Sequence, residues 1–195
     1  MKKLSNSILL LLTLSLIITA SADLSPAYAS PTALSVEPSA IVGIEKTPGY
    51  LFSVNVSVTD VASLFGFEFK LAYDPAILEL TEITLGSLLE EPIGEQPYGP
   101  VIEWHKEINK DLGYGWYAVS FGALSIYLET GISGSGILAT VSFIVTGSGG
   151  TILDLVDTKL VDPLGNSIDH EVLPGFFNNL KSAPVAILEA SLLTP

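Results

Sequence analysis

The amino-acid sequence predicts an all-β fold: a single β-sandwich of jelly-roll type, with about nine antiparallel strands, preceded by a signal peptide. Three observations predict it. Large apolar residues alternate with polar or small ones in segment after segment, the period-two signature of half-buried strands. Gly, Pro, Asn and Asp clusters separate these segments at about the 8–12-residue spacing of sandwich turns. Beyond the leader, no stretch keeps a helical period, which argues against a layered α/β alternative.

The leader comes first. Lys2 and Lys3 precede an apolar run from Ile8 to Ile18 that only Thr13 and Ser15 interrupt. Ala20-Ser21-Ala22 and Ala27-Tyr28-Ala29 follow as candidate cleavage sites. This is the layout of a secretory signal peptide, and the run falls short of the ~20 residues of a spanning helix. Residues 1–29 are therefore expected to be removed, after Ala22 (nearer the apolar run) or after Ala29. The remainder, roughly 165–173 residues, suits one domain with its own core. It is expected to be exported, secreted or displayed at the cell surface, with no membrane span once the leader is gone.

Composition narrows the function classes. The chain is 48% hydrophobic and 15% charged, carries a net charge of −13, and has no cysteine and no arginine. Without cysteine there is no disulfide framework, no thiolate metal site and no lipid anchor on a cysteine. With eight lysines as its only strong bases, it lacks the cationic clusters that nucleic acid or anionic lipid requires.

The strands read in order. Leu34 to Val42 is extended and broken by Pro38. In LFSVNVSV, Phe52, Val54, Val56 and Val58 share one face, with Ser53, Asn55 and Ser57 opposite. In GFEFKLAY, Phe67, Phe69, Leu71 and Tyr73 point inward and Glu68, Lys70 and Ala72 outward. Further runs are Ile77–Ile83, Val101–Trp104, Trp116–Phe121, Ile137–Val145, Ile152–Val156 and Lys159–Val161. Leu85 to Pro100 reads as irregular throughout, because Gly86, Pro92, Gly94, Pro97, Gly99 and Pro100 interrupt it. The sandwich is expected over residues 34–178, and 179–195 reads as a linker and an apolar tail.

A search for chemistry finds little. His105 and His170 are the only histidines, and no nucleophile elbow is present. Gly134-Ser135-Gly136-Ile137-Leu138-Ala139 matches a dinucleotide fingerprint in letters, but it opens a strand where the fingerprint must open a helix. Glu90, Glu91 and Glu95 in the long loop, and Asp154, Asp157, Asp162 and Asp169 around the last strands, do not fit a known calcium-loop spacing. No metal or other cofactor is expected; a structural calcium ion is the one cofactor this donor set admits, and no motif calls for it. Asp162 reads as the start of a type I turn. Asn55-Val56-Ser57 is an N-glycosylation sequon, with Asn55 as the acceptor. Trp104 and one of Trp116 and Tyr117 are expected in the core, while Tyr98 and Tyr114, in Gly/Pro-rich loops, are the candidate exposed rings for a sugar.

One stretch carries a resemblance. GFEFKLAYDPAILEL, residues 66–80, has a strand ending Phe-x-Leu-x-Tyr-Asp-Pro followed at once by a second apolar run. With Pro48-Gly49 ahead of Phe52-Ser53-Val54-Asn55-Val56, SGSGILATVSFIV at 133–145 and DTKLVDPLGNSI at 157–168, it resembles cohesin domains, the β-sandwich receptors of dockerins. GFFNN at 175–179 resembles the end of such domains in secreted archaeal proteins. Tyr-Asp-Pro also has a local reading: Asp74 accepts from N–H groups just beyond Pro75, Pro75 cannot continue a ladder, and Tyr73 packs inward while its hydroxyl needs a partner.

The resemblance implies a non-catalytic module, not an enzyme, that binds a dockerin-like extracellular protein in a polysaccharide-degrading or cell-surface assembly. It implies partner contacts through Glu68 and Lys70, on the strand preceding Tyr-Asp-Pro. Gly66 stands where cellulosomal members carry a polar side chain. Two alternatives stay open: a carbohydrate-binding module on the same sandwich, using Tyr98 and Tyr114 on a polysaccharide, and a structural cell-surface or filament subunit using the apolar tail.

Overall fold

The computed structural model describes residues 31–90, 101–122 and 129–180. These residues build eleven strands: β1 (Ala33–Glu37), β2 (Ala40–Val42), β3 (Leu51–Leu64), β4 (Gly66–Ala72), β5 (Leu78–Leu85), β6 (Val101–Asn109), β7 (Tyr114–Phe121), β8 (Ile132–Val145), β9 (Gly150–Val161), β10 (Glu171–Leu173) and β11 (Gly175–Asn178). One sheet runs β10-β1-β3-β8-β5 and the other β2-β11-β9-β4-β7-β6. The all-β sandwich expected from period two is therefore present. Residues 1–29, expected as a signal peptide, Tyr98 and the tail beyond residue 180 lie outside the described residues.

Alternation decides which face each strand buries. Val54, Val56 and Val58 of β3, Phe67, Phe69 and Leu71 of β4, and Val141 and Phe143 of β8 are all buried. Each such side chain contributes about 1.5–3 kcal/mol of burial. Aromatic rings tie the two sheets together. Phe52 stacks on Phe143 at 5.4 Å and, across the sandwich, on Phe177 at 5.2 Å, while Tyr73 meets Phe143 edge-on at 5.2 Å.

The Tyr-Asp-Pro corner forms as its residues demand. Asp74 Oδ1 accepts from Ala76 N at 2.9 Å, and its carbonyl accepts from Ile77 N and Leu78 N. The buried Tyr73 hydroxyl accepts from Leu80 N at 3.2 Å. Burial raises the Tyr73 pKa above its ordinary value.

Four expectations need correction. Among the described residues the sandwich has eleven strands where about nine were expected, and β1–β10 and β2–β11 pair in parallel. The extra strands β2, β10 and β11 are three or four residues long, too short to show an alternation. Ile152–Val156 and Lys159–Val161 belong to one strand, β9, interrupted by Asp157 at φ 50°. This bulge adds a residue without ending the ladder. The connection after β5 is not wholly irregular: Ser87–Glu90 is a helical turn whose Leu89 is buried.

The fourth concerns Trp104. It is 68% exposed, not in the core. The β6–β7 register shifts between Glu103 and His105, which takes Trp104 out of the alternation on this edge strand. Tyr117 is the core member of its pair, and Trp116 faces outward.

Candidate functional site

β4 lies between β9 and β7, with β6 beyond β7. Because side chains alternate, Gly66, Glu68, Lys70 and Ala72 turn to the outer face of this sheet while Phe67, Phe69 and Leu71 enter the core. The register places Glu68 beside Ala118 and Lys159, and Lys70 beside Trp116 and Val156. On β6, His105 lies beside Ala118 and Glu107 beside Trp116.

The outward side chains form one connected network. Trp116 Nε1 donates to Glu68 Oε1 at 2.8 Å. Lys70 Nζ donates to Asp157 Oδ2 at 2.8 Å and lies 4.8 Å above the Trp116 ring, within cation–π range. The His105 ring sits 3.9 Å from that of Trp116, and its Nε2 is 3.4 Å from Glu107 Oε2. Tyr114 donates its hydroxyl to Glu107 Oε1 at 2.8 Å.

The electrostatics follow from these bonds. The hydrogen bond to Asp157 raises the Lys70 pKa, and the Tyr114 hydroxyl holds the Glu107 carboxyl below its ordinary value. The same Tyr114–Glu107 bond raises the Tyr114 pKa. A face of mixed charge, pre-set in geometry and half-exposed, is suited to protein recognition, because its rotamers are already ordered before a partner arrives.

Next to this network the outer surface dips. The depression, about 550 Å³, is floored by Gly66, Ala118 and Ser120, and walled by Trp104 on one side and Leu164 on the other. A Cβ on Gly66 would stand 2.8 Å from Ser120 Cβ and 3.0 Å from the Val119 carbonyl oxygen. The position where a polar side chain was expected from the family pattern is thus closed to any side chain by its two neighbouring strands.

Glu68 and Lys70 are therefore brought together on one face, as their alternation predicts. Tyr114 is not a loop residue. It begins β7, is half-buried, and commits its hydroxyl to Glu107. Tyr98 lies outside the described residues. Asn55 is on the outward side of β3, in the middle of the five-stranded sheet, where its Oδ1 accepts from Thr140 Oγ1 at 2.9 Å.

Asp162 does open a turn, accepting from Leu164 N and Asn166 N at 2.9 and 2.8 Å. The Asn166 side chain, then these backbone bonds, lower its pKa. Among the described residues, no group of three or more His, Asp or Glu comes together to hold a metal.

Sequence reasoning missed Trp116, His105, Glu107 and Asp157 as members of the face. Only cross-strand register joins them: Trp116 and Glu68 are 48 residues apart, Lys70 and Asp157 87. The one available signal was parity, since Trp116 shares its outward phase with Tyr114 and Ala118.

Comparison with known proteins places this geometry. The model of the cohesin domain matches residues 39–172. Cell surface glycoprotein 1 of Acetivibrio thermocellus is 25% identical over 129 residues, covering 60% of this chain; the match spans 6% of that relative's length. Among solved structures, a non-cellulosomal cohesin from the archaeon Archaeoglobus fulgidus superposes with a TM-score of 0.56 at 20% identity, over 78% of this chain and 93% of that one. The sixth cohesin of scaffoldin B from Acetivibrio cellulolyticus, solved in complex with a dockerin, gives 0.55 at 18% identity, over 76% and 99%. At these identities the structures establish a shared fold, while the family model accounts for more than half of the sequence. The chain belongs to the cohesin domain family.

Proposed function

We propose that this chain is a non-catalytic, exported protein-binding module that engages a dockerin-like extracellular partner through the outer face of β9, β4, β7 and β6. The observation that carries the reading is the pre-ordered network on that face, with Glu68 held by Trp116 and Lys70 held by Asp157. Family membership supports a binding role, and so does the dockerin complex of the Acetivibrio cellulolyticus relative. The leader expected over residues 1–29 and the name of the cell-surface relative support export, to the medium or to the cell surface. The proposed bounds are 34–178 for the sandwich, with β1 beginning one residue earlier at Ala33, and 179–195 for a linker and tail.

A carbohydrate platform has less support, since Tyr114 is half-buried with its hydroxyl committed. The decisive experiment has two arms. A pull-down from the source organism's secreted fraction, with a panel of isolated dockerin modules titrated calorimetrically, is expected to give saturable binding. Glu68→Lys should weaken it by about tenfold or more, since it removes the Trp116 contact and reverses a charge at the centre of the face. Unchanged affinity for a confirmed partner would move the site off this face.

A further inference from the structure

The depression beside the network has features that the network does not explain. Leu164 is 87% exposed and Trp104 68% exposed, two large apolar groups held in water on either side of a floor that lacks bulk. Neither wall is free to collapse inward. The Trp104 indole donates Nε1–H to Ser120 Oγ at 2.8 Å, and Leu164 rides on a turn that Asp162 fixes through Leu164 N, Asn166 N and, by its carbonyl, Gly165 N.

The floor cannot fill either. Gly66 has no room for a side chain, and its β7 neighbours across the floor are Ala118 and Ser120. A pre-formed, open, apolar-walled recess of about 550 Å³ lies in the size range of ligand sites. The charge on its rim is uneven. Two carboxylates, Glu68 and Asp162, line it against one ammonium, that of Lys159, which lies beside Glu68 on the neighbouring strand, on a chain of net charge −13.

We propose that this recess is a specificity subsite that takes one bulky apolar side chain of the protein partner, leucine-like in size, flanked by lysine or arginine. The proposal rests on the partner-binding reading of the same face and adds the chemistry the partner must present. Seating the side chain removes Trp104 and Leu164 from water together, and the neighbouring cation meets Glu68 and Asp162. Gly66, with Ala118 and Ser120, then works as the floor of the subsite.

The test uses probes that need no identified partner. The full chain, ¹⁵N-labelled, is titrated with acetyl-Lys-Leu-Lys-amide, acetyl-Lys-Gly-Lys-amide and acetyl-Glu-Leu-Glu-amide, each to about 10 mM, where weak binding registers. The first peptide should shift the amides of Gly66, Ala118, Ser120 and Leu164 and the Trp104 indole. The glycine peptide should leave them in place, and the acidic peptide should respond at least about fivefold more weakly.

Two substitutions, one at the exposed Leu164 and one at the half-buried Ala118, complete the test, each checked for an unchanged thermal midpoint. Leu164→Ala should weaken the first peptide about fivefold, and Ala118→Leu, which raises the floor, should abolish its binding. No shifts in the recess, shifts only elsewhere, or an equal response to the acidic peptide would overturn the proposal. The two readings fail separately. Peptide seating without any dockerin binding would remove the dockerin reading alone. Dockerin binding that Glu68→Lys abolishes and Ala118→Leu leaves intact would remove the subsite alone.

Discussion

Tyr73, Asp74 and Pro75 form a corner whose parts can be tested separately. The Tyr73 hydroxyl accepts from Leu80 N inside the core, so Tyr73→Phe leaves that donor short of a partner and should cost about 1–2 kcal/mol, measured by urea denaturation. Asp162 makes a pH prediction. Its pKa is lowered by the Asn166 amide and the turn N–H groups. A depressed carboxylate contributes stability that is fully present above its unfolded value, near 3.8, and is lost as pH falls through the lower folded value. Asp162→Ala should therefore differ from the parent by a constant amount above about pH 5, and by less and less below pH 3.8, as read from denaturation midpoints across pH. These local devices were legible because each lies within a few residues of its partners.

The strands were legible in proportion to their length. β4 and β7 announce their inward and outward faces through seven or eight residues of alternation, and Glu68 and Lys70 follow from that phase. β6 did not, because one bulge exposes Trp104. Asp157 did not either, since a positive-φ residue inside a strand reads locally as a turn. Its carboxylate reaches Lys70 only through the β4–β9 register.

Two expectations belong at this scale. Asp157→Asn keeps a residue type that tolerates positive φ and removes only an exposed ion pair, so stability should move by no more than about 1 kcal/mol while partner affinity falls. Leu89→Ala on the helical turn, buried against the core, should cost about 2–4 kcal/mol in the same denaturation assay.

At the scale of the whole molecule, the −13 charge and the surplus of carboxylates on the proposed binding face favour a cationic partner. Its association rate should fall about tenfold between 50 and 500 mM salt while the dissociation rate changes little, as surface plasmon resonance would show. The sandwich class was legible from period two alone. Its closure was not, because β1 meets β10 and β2 meets β11 across more than 130 residues of sequence. Those two parallel pairs have a mechanical meaning. A tether pulling on the chain ahead of β1 and another pulling beyond β11 would load both pairs lengthwise, in shear, so that the hydrogen bonds of each pair share the tension instead of opening one after another. In a pulling experiment between residues 31 and 180, the domain should yield in a single high-force event.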